Sequence, residues 1–159
     1  MTRDIVRELG LLCLGTRMKR IGERLQSDTQ AILDSFDGDL VAGHCPFLAA
    51  LDRLGPLTVG ELASAVGVAQ PGATRAVKQM IAAGLLESGV AEDDRRRRII
   101  RLTATGGAAI AFAERELWPR VAAAVADLCA DFSERLEPQL AAIEDNLAAR
   151  PLIDRIPAP

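Results

Sequence analysis

Apolar residues near the start of the chain recur with a helical period. Ile5, Leu9, Leu12, Ile21, Leu25, Ile32 and Leu33 can share one side, which predicts one long helix over 3–36. Gly10, Gly15 and Gly22 weaken that helix locally, each by up to about 1 kcal/mol relative to alanine. Asp37-Gly38 ends it. After a connection over 39–45, Cys45-Pro46 opens a second helix, since proline is tolerated in a first turn. Phe47, Leu48, Leu51 and Leu54 keep helical spacing there, and Gly55-Pro56 stops it.

The middle of the chain is more strongly punctuated. Thr58-Val59-Gly60-Glu61 has the spacing of a capping box, followed by a short apolar face of Leu62, Ala63 and Val66 and a stop at Gly67. Val68 is expected to plug the core from the turn. Gln70-Pro71 starts the next helix, although Gln70 is a weak cap. On it Ala73, Val77, Met80 and Ile81 are expected inside, and Thr74, Arg75, Lys78 and Gln79 outside, up to Gly84. Leu85–Val90 and Arg98–Thr103 read as two short strands flanking a charged loop over 91–97, hence a β-hairpin.

Thr103 or Thr105 can cap a long Ala-rich helix from about Gly107 past Leu128, bent at Trp118-Pro119 where proline removes a backbone bond. Asp131 or Ser133 can cap a last helix from Glu134 to about Leu147, with Leu136, Leu140, Ile143 and Leu147 on one face and Pro138 in or near its first turn. Pro151, Pro157 and Pro159 mark a loose tail. The predicted fold is mostly α with a small β-hairpin. A lobe over 40–106 contains a helix-turn-helix and the hairpin, helices over 1–36 and 107–150 flank it, and 151–159 is a tail.

Composition supports this reading. The chain is 49% apolar with four Phe, one Trp and no Tyr, so its core must be aliphatic. No apolar run approaches the roughly 18 residues of a transmembrane helix, and the N-terminus lacks a signal pattern. Three widely spaced cysteines, Cys13, Cys45 and Cys129, make a poor disulfide framework and point to the cytoplasm. Net charge is −3, but the stretch 69–103 has seven basic and four acidic residues, a local +3 that leaves −6 for the rest. A basic patch on an acidic body can still bind a polyanion.

That patch gathers on two elements. The second helix of the helix-turn-helix exposes Thr74, Arg75, Lys78 and Gln79, side chains able to contact base edges or phosphates. The hairpin loop adds the consecutive arginines Arg95, Arg96, Arg97 and Arg98. A helix fits the major groove, and a basic hairpin can reach the neighbouring minor groove or backbone. Asp93 and Asp94 can pair with Arg96 or Arg98 and hold the loop's shape, Asp94 being the supporting residue and Arg96 the one aimed at DNA.

The stretch Leu57–Ile110 resembles the MarR family of winged helix-turn-helix transcriptional regulators. The marks are Leu62 with Ala63 or Ala65, the Gly84-Leu85 turn, Asp94-Arg95-Arg96 in the hairpin, and Leu102-Thr103-Ala104-Thr105-Gly106 after it. The resemblance implies a homodimer interleaved through its N- and C-terminal helices, with two recognition helices addressing a pseudo-palindromic operator. It places DNA contacts at Gln70, Gly72, Thr74, Arg75, Lys78 and Gln79 and, on the wing, at Arg95, Arg96 and Arg97. Gly72 departs from the small polar or β-branched residue frequent at that place.

The function expected from this is a transcriptional regulator, a repressor by family habit, released by a small-molecule effector. Leu12, Cys13, Thr16, His44, Phe47 and Leu48 are the candidate residues of the effector crevice. An alternative is a redox sensor switched by oxidation of Cys13. The relatives that sense hydroperoxides through such a cysteine use tyrosines beside it, and this chain has none, so a buried inert thiol is the better reading. A third is an interaction module that binds no DNA. With one histidine, no nucleotide-binding motif and no zinc ligand set around His44-Cys45, neither an enzyme nor a metal or cofactor site is expected.

Overall fold

The computed structural model describes residues 3–36, 40–90 and 98–156. They fall into two compact units, residues 1–119 and 120–159.

The first unit begins with a short helix α1 (Ile5–Glu8), a 3-10 turn (Gly10–Cys13) and helix α2 (Leu14–Leu33). The single helix expected over 3–36 is therefore broken. Gly10 has φ +56°, a left-handed conformation that cannot continue a right-handed helix. Gly15 and Gly22 lie within α2 without interrupting it. A 3-10 turn (Ala42–His44) then leads into α3 (Cys45–Leu54), which buries Phe47, Leu48 and Leu51 while Leu54 is exposed.

The helix-turn-helix forms as its caps require. Helix α4 (Val59–Val66) starts with the reciprocal box: Glu61 N–H donates to Thr58 Oγ1 at 3.2 Å, and Thr58 N–H donates to Glu61 Oε2 at 2.8 Å. Gly67, at φ +73°, ends it, and Val68 N–H donates back to Ala63 O at 3.0 Å. Helix α5 (Gln70–Ala82) follows with Ala69, not Gln70, in the cap position. It buries Ala73, Val77 and Met80. The same closing pattern recurs at its end, where Gly84 has φ +72° and Leu85 N–H donates to Met80 O at 2.9 Å. Two expected core residues lie outside: Val68 is 40% and Ile81 37% exposed. Replacing Thr58 by alanine is expected to cost about 1 kcal/mol and lower the melting temperature by about 2–4 °C, measurable by circular dichroism.

Strands β1 (Leu86–Val90) and β2 (Arg98–Leu102) pair antiparallel, Leu86 opposite Leu102 and Val90 opposite Arg98. The hairpin is pinned to the helix-turn-helix by Leu57, whose N–H and C=O both bond Ile100, at 3.2 and 2.7 Å. Ile100, Leu85 and Leu86 thereby join Leu48, Leu62, Met80 and Ile110 in one core. Helix α6 (Ala104–Phe112) is capped by Thr103, whose Oγ1 accepts from Gly106 N–H at 3.0 Å.

After α6 the chain widens into a π turn (Ala113–Leu117) and continues as α7 (Trp118–Leu128). The irregularity precedes Pro119 rather than falling on it. Proline offers no N–H to the carbonyl four residues back, so that disruption is carried by the preceding turn. In the second unit α8 (Ser133–Ala149) follows. Its cap position is held by Phe132, with no side-chain capping bond, rather than by Asp131 or Ser133, and Pro138 lies inside the helix beyond its first turn. The expected loose tail instead opens with a 3-10 turn (Leu152–Arg155), where Arg155 Nε donates to Arg150 O at 2.9 Å and Arg150 Nε to Asp154 O at 3.0 Å. Among the described residues no helix is long and apolar enough to cross a membrane.

Candidate nucleic-acid interface

The outward face of α5 follows from its inward one. Ala73, Val77 and Met80 are spaced four and three apart and are at most 3% exposed. A helix so anchored turns the positions between them away from the core. Gln70, Gly72, Arg75, Lys78 and Gln79 are all exposed. Thr74 is half-buried, its hydroxyl donating to Gln70 O at 2.9 Å. Its oxygen keeps a lone pair for an outside donor. At Gly72 a Cβ would meet nothing within 4 Å, so the helix surface there is open and presents bare backbone. Six of the expected contact positions thus lie on one helix. Arg95, Arg96 and Arg97, with the supporting Asp94, lie outside the described residues.

The strands that lead to that loop are held by the helix-turn-helix through Leu57 and by α6 through Thr103. Thr103 Oγ1 lies 2.6 Å from Gly84 O and 3.1 Å from Leu85 O, and Thr103 N–H donates to Leu85 O at 3.1 Å. One threonine therefore ties the end of α5, the end of β2 and the start of α6 together. Gly106 is buried beside this knot, and a Cβ there would stand 2.1 Å from Leu85 O. The Gly84-Leu85 and Leu102-Thr103-Ala104-Thr105-Gly106 signatures are thus two halves of one packing contact.

Arg101, not singled out in the sequence, runs along the hairpin. Its guanidinium crosses Gly89, where a Cβ would be 3.8 Å from Cζ, and its buried Nε has no hydrogen-bond partner among the described residues. The strand alternation is broken at adjacent buried Ile99 and Ile100, which is why period-two reasoning did not mark Arg101.

The expected crevice residues do not assemble. Phe47 and Leu48 are 5% and 0% exposed and belong to the lobe's core. Leu12 is 83% exposed, Thr16 is exposed, and Cys13 is half-buried at the start of α2. A cavity of about 410 Å³ lies elsewhere in the first unit, lined by Leu33, Phe36, Leu40, Ala83, Leu85, Thr105, Ala108, Ala109, Phe112 and Leu117. Phe36 and Phe112 meet edge-to-face across 6.0 Å. Their pairing joins positions 76 apart in sequence, a contact that helical periodicity cannot register.

His44 instead faces α5: its Nε2 lies 3.3 Å from Gln79 Oε1. The neighbouring Cys45 is half-buried with Sγ 3.7 Å from Val41 O, and burial pushes its thiol pKa up, keeping it protonated. Among the described residues no group of three or more His, Cys, Asp or Glu is placed to hold a metal ion.

A two-strand hairpin behind a helix-turn-helix, with flanking helices, defines a winged helix protein. Residues 40–97 match a family model described as MarR family, and the chain carries the MarR-type winged-helix fold. Among solved structures it is similar to a MarR mutant from E. coli complexed with operator DNA, at 16% identity and a TM-score of 0.71, covering 91% of this chain and 99% of that one. It is similar to a transcriptional repressor, CouR, bound to a 23-mer DNA duplex, at 21% identity and a TM-score of 0.70, covering 93% and 99%. A MarR family transcriptional regulator from Silicibacter pomeroyi DSS is 25% identical with a TM-score of 0.60, covering 88% of each chain. Comparison with curated proteins by sequence gives no match.

Proposed function

We propose that the chain is a sequence-specific DNA-binding transcriptional regulator that acts as a homodimer, without enzymatic activity. The observation that carries this is the polar, basic outer face of α5, set by the buried Ala73, Val77 and Met80 on its inner face. Two proteins of the same fold are seen with DNA, one of them a repressor. Arg75, Lys78 and Gln79 enter a major groove, and the wing arginines Arg95, Arg96 and Arg97 hold the adjacent backbone. Asp94 shapes that wing.

Dimerisation is supported by apolar side chains that each unit leaves uncovered. Ile5, Leu9, Leu11, Leu12 and Ile21 are 47–85% exposed in the first unit, and Leu128, Phe132, Leu147, Leu152, Ile153 and Ile156 are 48–72% exposed in the second. Exposed apolar area of this kind marks an association surface. A pseudo-palindromic operator follows from two-fold symmetry, since paired recognition helices must meet successive half-sites. Repression is the outcome such binding most simply produces. Release by an effector would work through the apolar cavity beside Leu85, because a ligand wedged there bears on the end of α5 and alters the spacing of the paired helices.

The test is a gel-shift titration of the full chain against duplex from upstream of its own gene, over a range of salt. Affinity is expected to fall steeply with salt as phosphates release counterions, and Arg96→Ala to weaken binding evenly across sequences. Binding no tighter than to random duplex, or insensitive to salt, would sink the reading. Sedimentation of the same sample should give a dimer.

A further inference from the structure

From the contact between His44 and Gln79 we infer that His44 is a positioning residue for base recognition: it fixes which end of the Gln79 amide faces the DNA. The inference rests on the DNA-binding role proposed above. A glutamine side chain on an exposed helix face can present either its oxygen, which accepts, or its nitrogen, which donates, because the amide can turn over. Here Oε1 lies 3.3 Å from His44 Nε2. An amide oxygen can only accept, so this contact requires the tautomer that carries its proton on Nε2. With the oxygen held toward His44, Gln79 Nε2, which has no protein partner among the described residues, becomes the end available to a base.

His44 is itself anchored. It closes the turn Ala42–His44, where its own N–H donates to Val41 O at 2.8 Å. Gln30 on α2 grips that segment on both sides: Ala42 N–H donates to Gln30 Oε1 at 2.8 Å, and Gln30 Nε2 donates to Leu40 O at 3.1 Å. The imidazole is therefore presented to α5 from a backbone fixed on another helix, and it is half-buried rather than free in solvent. Such support from outside the reading helix is what holds a recognition side chain in one orientation.

The consequence is a base preference. A donor-only Gln79 selects acceptor edges in the major groove: guanine N7 and O6, adenine N7 or thymine O4. It disfavours the donor edge of cytosine N4, which an unrestrained glutamine would accept through its oxygen.

Selection from a pool of randomised DNA duplexes by the full chain, with His44→Ala, His44→Gln and Gln79→Ala beside it, tests this. One position per half-site is expected to prefer acceptor edges, and His44→Ala to reduce that preference about 5- to 10-fold. His44→Gln, whose own amide can present either oxygen or nitrogen to Gln79, is expected to restore it only in part. Adding His44→Ala to Gln79→Ala should change nothing further. Nitrogen NMR of the DNA-free protein should show His44 protonated on Nε2 and a shift of the Gln79 side-chain amide in His44→Ala. Retained binding with an unaltered preference in His44→Ala, or an Nδ1-protonated His44, overturns this inference alone. Failure of the unsubstituted chain to bind any duplex overturns the proposed function and this inference with it.

Discussion

Alanine at Gly106 is expected to destabilise the protein by about 3 kcal/mol, although the same change in a helix normally stabilises it. Gly106 lies in α6, where an alanine would ordinarily gain up to about 1 kcal/mol from reduced backbone freedom. The contact decides otherwise. A Cβ at this position stands 2.1 Å from Leu85 O and 3.1 Å from Leu85 C, and both are backbone atoms that cannot swing aside like a side chain. Relief requires moving α6 away from Leu85, and that carbonyl accepts from Thr103 N–H and Oγ1, each at 3.1 Å. Separation would therefore loosen the cap of α6 and the end of α5 together. Gly107, one residue on, has nothing within 4 Å of its Cβ position and supplies the control. Gly107→Ala is expected to gain about 0.5–1 kcal/mol. Urea unfolding of the two variants reads the comparison, and equal midpoints would refute the packing account. Against a total stability of about 5–15 kcal/mol, a loss of 3 is large enough to reduce the folded population in a cell.

The Arg75→Ala, Lys78→Ala double variant is expected to lose about 100-fold in operator affinity while its melting temperature stays unchanged within about 1 °C. Both side chains are exposed, and neither is ion-paired or hydrogen-bonded to another described residue, so their removal leaves the folded state almost untouched. The two losses differ in kind. Arginine reads guanine through O6 and N7, so Arg75→Ala alone should flatten discrimination at one base pair of each half-site. Lys78→Ala alone should weaken all sequences alike and lower the salt slope by about 1, the signature of one lost phosphate contact. Isotherms at several salt concentrations on a specific and a scrambled duplex separate them. If the double variant binds as tightly as the parent, α5 is not the reading helix.

The local signals were legible because they are local. Thr58 with Glu61 needs only three-residue spacing and a backbone ready to turn, and the capping box forms as spelled. Gly67 and Gly84 end their helices because only glycine enters the left-handed region at low cost, a property independent of the rest of the fold. The exposure of Arg75, Lys78 and Gln79 likewise follows from a 3.6-residue period once Ala73, Val77 and Met80 are buried.

What the chain's order of residues determined by itself is where helices and strands begin and end in the lobe, and which face of α5 carries charge. Capping, turn conformation and periodicity act over a few residues, so they are written in neighbouring letters. The tertiary structure alone decided that Phe47 and Leu48 close a core instead of lining a crevice, that the cavity is bounded by Phe36 and Phe112, and that Gly106 must lack a side chain to admit Leu85. It also decided that His44 meets Gln79, 35 positions away. These contacts join segments far apart in the chain, and what brings them together is the collective burial of apolar surface, which depends on how whole elements pack.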